Sequence, residues 1–172
     1  IKYKDHVRSV VNAPWLDTPE TRTVIKALTA GGGGVRFVGG CVRDTLIGRP
    51  LADIDIATTE DPNRVIKRLK TASIGVNAKA LSYGTVIARV ANAHFEITTL
   101  RVDTENYARQ AKVKFSENWE EDALRRDFTI NALFYNVNTD TVEDLTEHGI
   151  SDLKEGILRT PLDPLTTFAD DP

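Results

Sequence analysis

The sequence predicts an α/β domain with a mixed sheet, on three observations. Strand-like runs alternate along the chain with segments of helical spacing. One pair of runs, Thr85–Val90 and His94–Leu100, is joined only by Ala91-Asn92-Ala93, too short for anything but an antiparallel hairpin. The 172 residues suffice for one domain, or one domain and the start of another, and can bury about 70% of the unfolded surface without staples.

Taken in order, Thr18-Pro19-Glu20 opens a helix: a hydroxyl cap, a proline in the first turn, and an acid at the positive end. Val24, Ile25 and Leu28 form its apolar side as far as about Ala30, and Gly31 to Gly34 break it. Val35–Val38 reads as a strand, Gly40–Ile47 as a helix, Gly48-Arg49-Pro50 as a turn and Asp53–Thr58 as the next strand. Asp61-Pro62 starts another helix with Val65, Ile66 and Leu69 inward. After the hairpin, the polar stretch 102–117 reads as a mobile loop. Trp119 to about Tyr135 has helical spacing through Ala123, Leu124, Phe128, Ala132 and Leu133. A small hairpin over 136–142, a short helix near Ser151–Glu155 and a strand at Ile157–Arg159 close the body.

Composition narrows the function. Net charge is −3, from 22 basic and 25 acidic residues. Proteins that hold nucleic acid by their own surface carry a basic excess, because phosphate contacts dominate affinity. Any nucleic acid used here is expected to be gripped by a local patch or another part of the molecule. The single cysteine, Cys41, rules out an internal disulfide and fits a reducing compartment. No apolar run approaches the ~20 residues of a membrane span, and no signal-peptide layout opens the chain. The reading is a soluble intracellular protein, cytoplasmic or mitochondrial. The absence of Met, even at position 1, and the ending Ala169-Asp170-Asp171-Pro172 suggest a domain excised from a longer polypeptide.

The richest chemistry lies in Asp53-Ile54-Asp55-Ile56. On a strand both carboxylates leave one face, about 7 Å apart at Cβ, while the isoleucines bury on the other. Such a pair can clamp one or two divalent cations about 3.5–4 Å apart. Solvated aspartates on an edge strand give the same pattern. The Asp-x-Asp of haloacid-dehalogenase phosphatases fits poorly, since only Leu51-Ala52 precede and Ala57 stands where Thr or Val is expected.

Upstream, Gly39-Gly40 follows a strand and opens a helix carrying Arg43, an arrangement that offers backbone N–H groups to a phosphate. Downstream, alternation in Phe95-Glu96-Ile97-Thr98 sends Glu96 to the polar face. Three acids converge if its strand neighbours Asp53 and Asp55, and such acids repel unless a cation neutralises them. Arg125-Arg126-Asp127 follows Glu120, Glu121 and Asp122, a pattern for helical salt bridges or for an arginine turned toward a triphosphate. Gly31–Gly34 lack the Gly-Lys-Ser/Thr of a phosphate loop and read as a helix stop. His6, His94 and His148 have no metal-ligand spacing, and Cys41 reads as a packing residue.

Four segments in order resemble the class II tRNA nucleotidyltransferases and bacterial poly(A) polymerases, the CCA-adding enzymes and their relatives. They are Phe37-Val38-Gly39-Gly40-Cys41-Val42-Arg43-Asp44, Asp53-Ile54-Asp55-Ile56-Ala57-Thr58, Phe95-Glu96-Ile97-Thr98-Thr99-Leu100-Arg101, and the run from Glu121-Asp122-Ala123 through Arg125-Arg126-Asp127-Phe128-Thr129-Ile130-Asn131 to Leu133. The resemblance implies a nucleotidyltransferase head, a small, mostly antiparallel sheet backed by helices. It divides the chain into an N-terminal extension (1–17), a catalytic head (18–165) and the start of a neck (166–172). It makes Asp53 and Asp55 the holders of Mg²⁺, with Glu96 the third catalytic carboxylate. Gly39, Gly40, Arg43, Arg126 and Asp171 would bind the incoming CTP or ATP, and tRNA would be held mainly by domains outside these residues. Poly(A) synthesis is the same-family alternative, and a non-catalytic nucleotide- or RNA-associated module the alternative from another class.

Overall fold

The computed structural model describes residues 2–3, 12–51, 53–103 and 113–164. Helix α1 (Pro19–Thr29) is capped by Thr18, whose Oγ1 accepts from the Thr21 N–H at 3.2 Å. Strand β2 (Val35–Val38) leads through Gly39 into α2 (Gly40–Leu46), and β3 (Ile54–Thr58) precedes α3 (Pro62–Thr71). Asp61 caps α3 by accepting from the Asn63 and Arg64 N–H groups at 2.9 and 3.1 Å. Strands β4 (Gly75–Asn77), β5 (Thr85–Val90) and β6 (Ala93–Thr99) follow, then β7 (Arg101–Asp103) and β8 (Val113–Phe115). Helix α4 (Trp119–Leu124), β9 (Leu133–Asn136), β10 (Thr141–Asp144) and α5 (Gly149–Glu155) complete the order, with β1 (Lys2–Tyr3) at the N-terminus.

Eight strands make one sheet in the order β1-β10-β9-β2-β3-β6-β5-β4. Among the described strands every neighbouring pair is antiparallel except β3 and β6. That parallel pair requires a crossover, which α3, β4 and β5 supply. The sheet is thus mixed and mostly antiparallel, backed by helices, as expected.

Alternation divides the sheet into two faces. Phe37, Ile56, Val86, Phe95, Ile97, Leu133 and Tyr135 point to one, where Val24 and Leu28 of α1, Val42 of α2 and Val65 and Leu69 of α3 close over them. Trp15, upstream of the expected head, belongs to this core: its ring meets Phe37 edge-on at 4.9 Å and its Nε1–H donates to Thr45 Oγ1 at 2.9 Å. Among the described residues the opposite face has only a small buried apolar cluster, Val38, Ala57, Leu100, Ala123, Ala132 and Phe134.

Three expectations are corrected. The helix over Trp119–Tyr135 stops at Leu124; a 3-10 turn follows at Thr129–Asn131, and Leu133 begins β9. Helical spacing of Ala132 and Leu133 is coincidental, because β9 is sandwiched between β2 and β10 and covered on both faces, which erases the period of two. The 102–117 stretch is ordered at its ends, where β7 and β8 pair Arg101 with Phe115 and Val102 with Lys114; 104–112 lie outside the described residues. Ile157–Arg159 forms no strand and is tied down singly, the Ile157 N–H donating to the Asp152 carbonyl and the Thr129 N–H to the Arg159 carbonyl, each at 2.8 Å. Edge strand β4, begun by a glycine and three residues long, has no alternation to reveal it. Among the described residues no helix is long and apolar enough to cross a membrane.

Candidate active site

The parallel register of β3 and β6 sets Asp55 directly opposite Glu96 on the sparsely covered face. Ile56 and Ile97, one position on, are likewise opposite each other on the helical face. The Asp55 carboxyl is pushed up to about 6, first by burial and then by the charge of Glu96. An ionised carboxylate placed beside another is repelled by it, which disfavours the charged form of Asp55. Arg126 opposes this rise, and Asp53 adds the weakest of the repulsions. Asp53 is exposed and stands one residue ahead of β3. The structure therefore brings Asp55 and Glu96 into contact and leaves Asp53 within their field. Among the described residues no three His, Cys, Asp or Glu side chains are drawn together closely enough to hold an ion as they stand.

Val38 pairs across the sheet with both Asp55 and Phe134. The chain leaves it through Gly39 at φ 76°, ψ −135°, a conformation that side chains with a Cβ strongly disfavour. A Cβ there would lie 3.8 Å from Asp55 Oδ2, so conformation rather than space demands the glycine. The Gly39-Gly40 turn is thereby held beside Asp55, and its Gly39 N–H donates to the Leu133 carbonyl at 3.3 Å.

Two arginines belong to this region, Arg43 at the turn and Arg126 within the field of Asp55. Arg43, on the first turn of α2, donates from Nε to Asp44 Oδ1 at 2.9 Å and from Nη1 to Asn131 Oδ1. Arg126 is held by Asp122, whose Oδ2 accepts from Nη2 at 2.9 Å and Nε at 3.2 Å. Asp122 is 1% exposed and its Oδ1 also accepts from Arg125 Nε at 3.0 Å and the Arg101 N–H at 3.1 Å. Burial draws the Arg126 guanidinium below its ordinary pKa; Asp122 counters most strongly and Asp55 more weakly. Its guanidinium carbon lies 5.4 Å from the Phe134 ring centroid. The salt bridges expected at helical spacing are present, and Arg126 also lies within the field of Asp55. The anchoring role of Asp122 was not legible; its one signal was an acid followed at three and four residues by arginines.

The other candidates fall elsewhere. Asp171 lies outside the described residues, as does His6. His94 and His148 are exposed. Cys41 is buried, its thiol donates to the Val38 carbonyl at 3.3 Å, and burial pushes it up to about 12. Gly31–Gly34 end α1 and pass over the Arg68–Glu60 ion pair, where a Cβ on Gly33 would sit 2.6 Å from Glu60 Cγ. A groove of about 830 Å³ opens around Arg36, Trp119 and Glu143, and neither Asp55 nor Glu96 lines it.

A mixed, mostly antiparallel sheet backed by helices is the architecture that the resemblance to nucleotidyltransferase heads implied. Comparison with known proteins bears this out. The profile of the Poly A polymerase head domain matches residues 35–159, and the chain belongs to that family. It is 37% identical over 166 residues to a CCA-adding enzyme of Oceanobacillus iheyensis, covering 94% of this chain and 39% of that protein. It is 40% identical over 126 residues to the mitochondrial CCA tRNA nucleotidyltransferase 1 of Danio rerio, covering 73% of this chain and 29% of that protein. Its structure is similar to that of the Bacillus stearothermophilus CCA-adding enzyme in complex with CTP, with a TM-score of 0.79, 31% identity, and coverage of 92% of this chain and 36% of that one. The chain thus spans well under half the length of the relatives it matches.

Proposed function

We propose that the chain is the catalytic head of an enzyme that adds C, C and A to the 3′ end of tRNA from CTP and ATP, releasing pyrophosphate. The observation that carries this reading is the contact between Asp55 and Glu96, with Asp53 in their field, beside the Gly39-Gly40 turn. Burial and repulsion that raise one half-buried carboxyl are what a divalent cation relieves, so the donor set suits a hard ion with oxygen ligands. Asp53 and Asp55 would hold Mg²⁺, with Glu96 beside them. When bound, that ion supplies charge neutralisation for the triphosphate and acidifies the attacking 3′-hydroxyl.

The chain's own residues orient and neutralise. Arg126, fixed by Asp122, and Arg43 bring planar guanidinium forks toward a triphosphate tail at the glycine turn. Their geometry is set before substrate arrives, which is where preorganised electrostatics acts. A net charge of −3 fits a head that leaves most of the tRNA backbone to other domains. The buried free thiol suits a reducing compartment, and the Danio rerio relative is named as mitochondrial.

The match to a Poly A polymerase profile keeps one second reading in view, addition of an A tail. The test is a full-length enzyme containing this head, given tRNA lacking its 3′ end, labelled CTP and ATP, and Mg²⁺. Two C and one A added per tRNA is the expected product; a long A tail would establish the second reading, and no addition would sink both.

A further inference from the structure

We propose that Asn131, oriented by Asp127, is a positioning residue that aims Arg43 at the phosphates of the incoming nucleotide. The inference rests on the reading of the Gly39-Gly40 turn as a triphosphate cradle and adds what sets the arginine's direction.

Arg43 and Asn131 are 88 residues apart in sequence and meet through Nη1 and Oδ1. The amide of Asn131 can face only one way. Its Oδ1 accepts from the guanidinium, and its Nδ2 donates to Asp127 Oδ1 at 3.0 Å. A flipped amide would turn its NH₂ toward a cation and its oxygen toward a carboxylate, both repulsive. Asp127 Oδ1 also accepts from the Phe128 N–H at 2.7 Å, which fixes the acid in turn.

The 3-10 turn that carries Asn131 is itself pinned. Buried Thr129 donates from Oγ1 to Asp152 Oδ2 at 2.7 Å, and Asp152 accepts from Arg159 Nε at 3.0 Å. The Asn131 carbonyl oxygen would lie 3.8 Å from a Cβ on Gly39, so the same turn touches the glycine cradle. With Nε on Asp44 and Nη1 on Asn131, Arg43 presents Nη2 toward the glycines, 3.5 Å from where a Gly40 Cβ would stand. Two of its three nitrogens are thus committed to the protein so that the third faces the cradle. A guanidinium held in this way surrenders little side-chain freedom when a phosphate binds.

The test measures Mg·ATP and adenosine binding to this chain by titration calorimetry, in wild type, Arg43→Ala, Asn131→Ala, Asn131→Asp and the exchange Asp127→Asn/Asn131→Asp. Arg43→Ala and Asn131→Ala should each weaken Mg·ATP by about tenfold, the loss expected for one charged hydrogen bond, and leave adenosine unchanged. Asn131→Asp alone sets two carboxylates together and should also weaken Mg·ATP about tenfold. The exchange keeps Arg43 donating to an oxygen at position 131 and reverses only the bond between positions 127 and 131, and should return affinity to within about threefold of wild type. Normal Mg·ATP binding by Asn131→Ala, with Arg43→Ala impaired, would overturn the positioning role alone. Normal binding by Arg43→Ala would overturn the triphosphate cradle and this inference with it. Should Asn131→Ala fail to fold, the single and exchanged aspartates decide: equal affinities in the two refute the relay.

Discussion

The two faces of one sheet are built on opposite terms. On the helical face, Phe37, Ile56, Phe95 and Ile97 lie under α1, α2 and α3 with 0–1% exposure. On the other, the same strands present Arg36, Asp55 and Glu96, and the charged groups there are paired, stacked or in conflict. Arg36 is bonded to Glu143 at 3.0 Å and lies 3.9 Å from the Trp119 ring centroid; Arg126 is clamped by Asp122; Asp55 and Glu96 have each other. Stability comes from the first face. The second retains an electrostatic tension that a folded protein keeps where function needs it. Because alternation alone assigns residues to faces, one strand such as β3 serves both purposes with consecutive residues.

Substitutions can break that contrast, and the largest effect is expected at the acids. In a full-length enzyme, Asp53→Asn or Asp55→Asn should lower nucleotide addition by about a thousandfold or more. Asp55→Asn should at the same time raise Tm, by about 2–4 °C for each 1 kcal/mol of relieved repulsion. Normal turnover in either variant would remove the acids from the chemistry. A fall in Tm for Asp55→Asn would mean that the pair is not under strain.

On the helical face the expectation reverses. Phe37→Ala should destabilise by about 3–5 kcal/mol through the lost core contacts, measured by denaturant unfolding. Asp122→Ala tests the boundary between the faces, since it strands two half-buried arginines and should lower stability by about 3–5 kcal/mol, read in the same unfolding experiment. A drop below 1 kcal/mol would show that Arg125 and Arg126 find other partners. Gly39→Ala should lose about 1–3 kcal/mol from its backbone conformation alone. The smallest change concerns Cys41: with its thiol pushed up to about 12, it is protonated at pH 8. Native protein should therefore react with a disulfide reagent at least about a hundredfold more slowly than free cysteine.

Much of the helical face was legible, because amphipathic helices with caps at Thr18 and Asp61 carry their own punctuation. The site was legible in part. Alternation put Asp55 and Glu96 on polar faces, but their contact depends on β3 and β6 being parallel neighbours, which no local pattern encodes. The 3-10 turn and β9 were lost inside an apparent helix because Phe134 and Tyr135 are buried on opposite faces. Asn131 was invisible for a related reason: its partner Arg43 lies 88 residues away, so only the folded chain shows the bond.

Titration with Mn²⁺ and ATP, followed by paramagnetic broadening of backbone amide resonances in this chain, addresses the polar face directly. Broadening centred on Gly39, Gly40, Asp55 and Glu96, and abolished by Asp55→Asn, is the predicted result. Broadening that centres elsewhere, or that survives the substitution unchanged, would contradict a cation seat between β3 and β6.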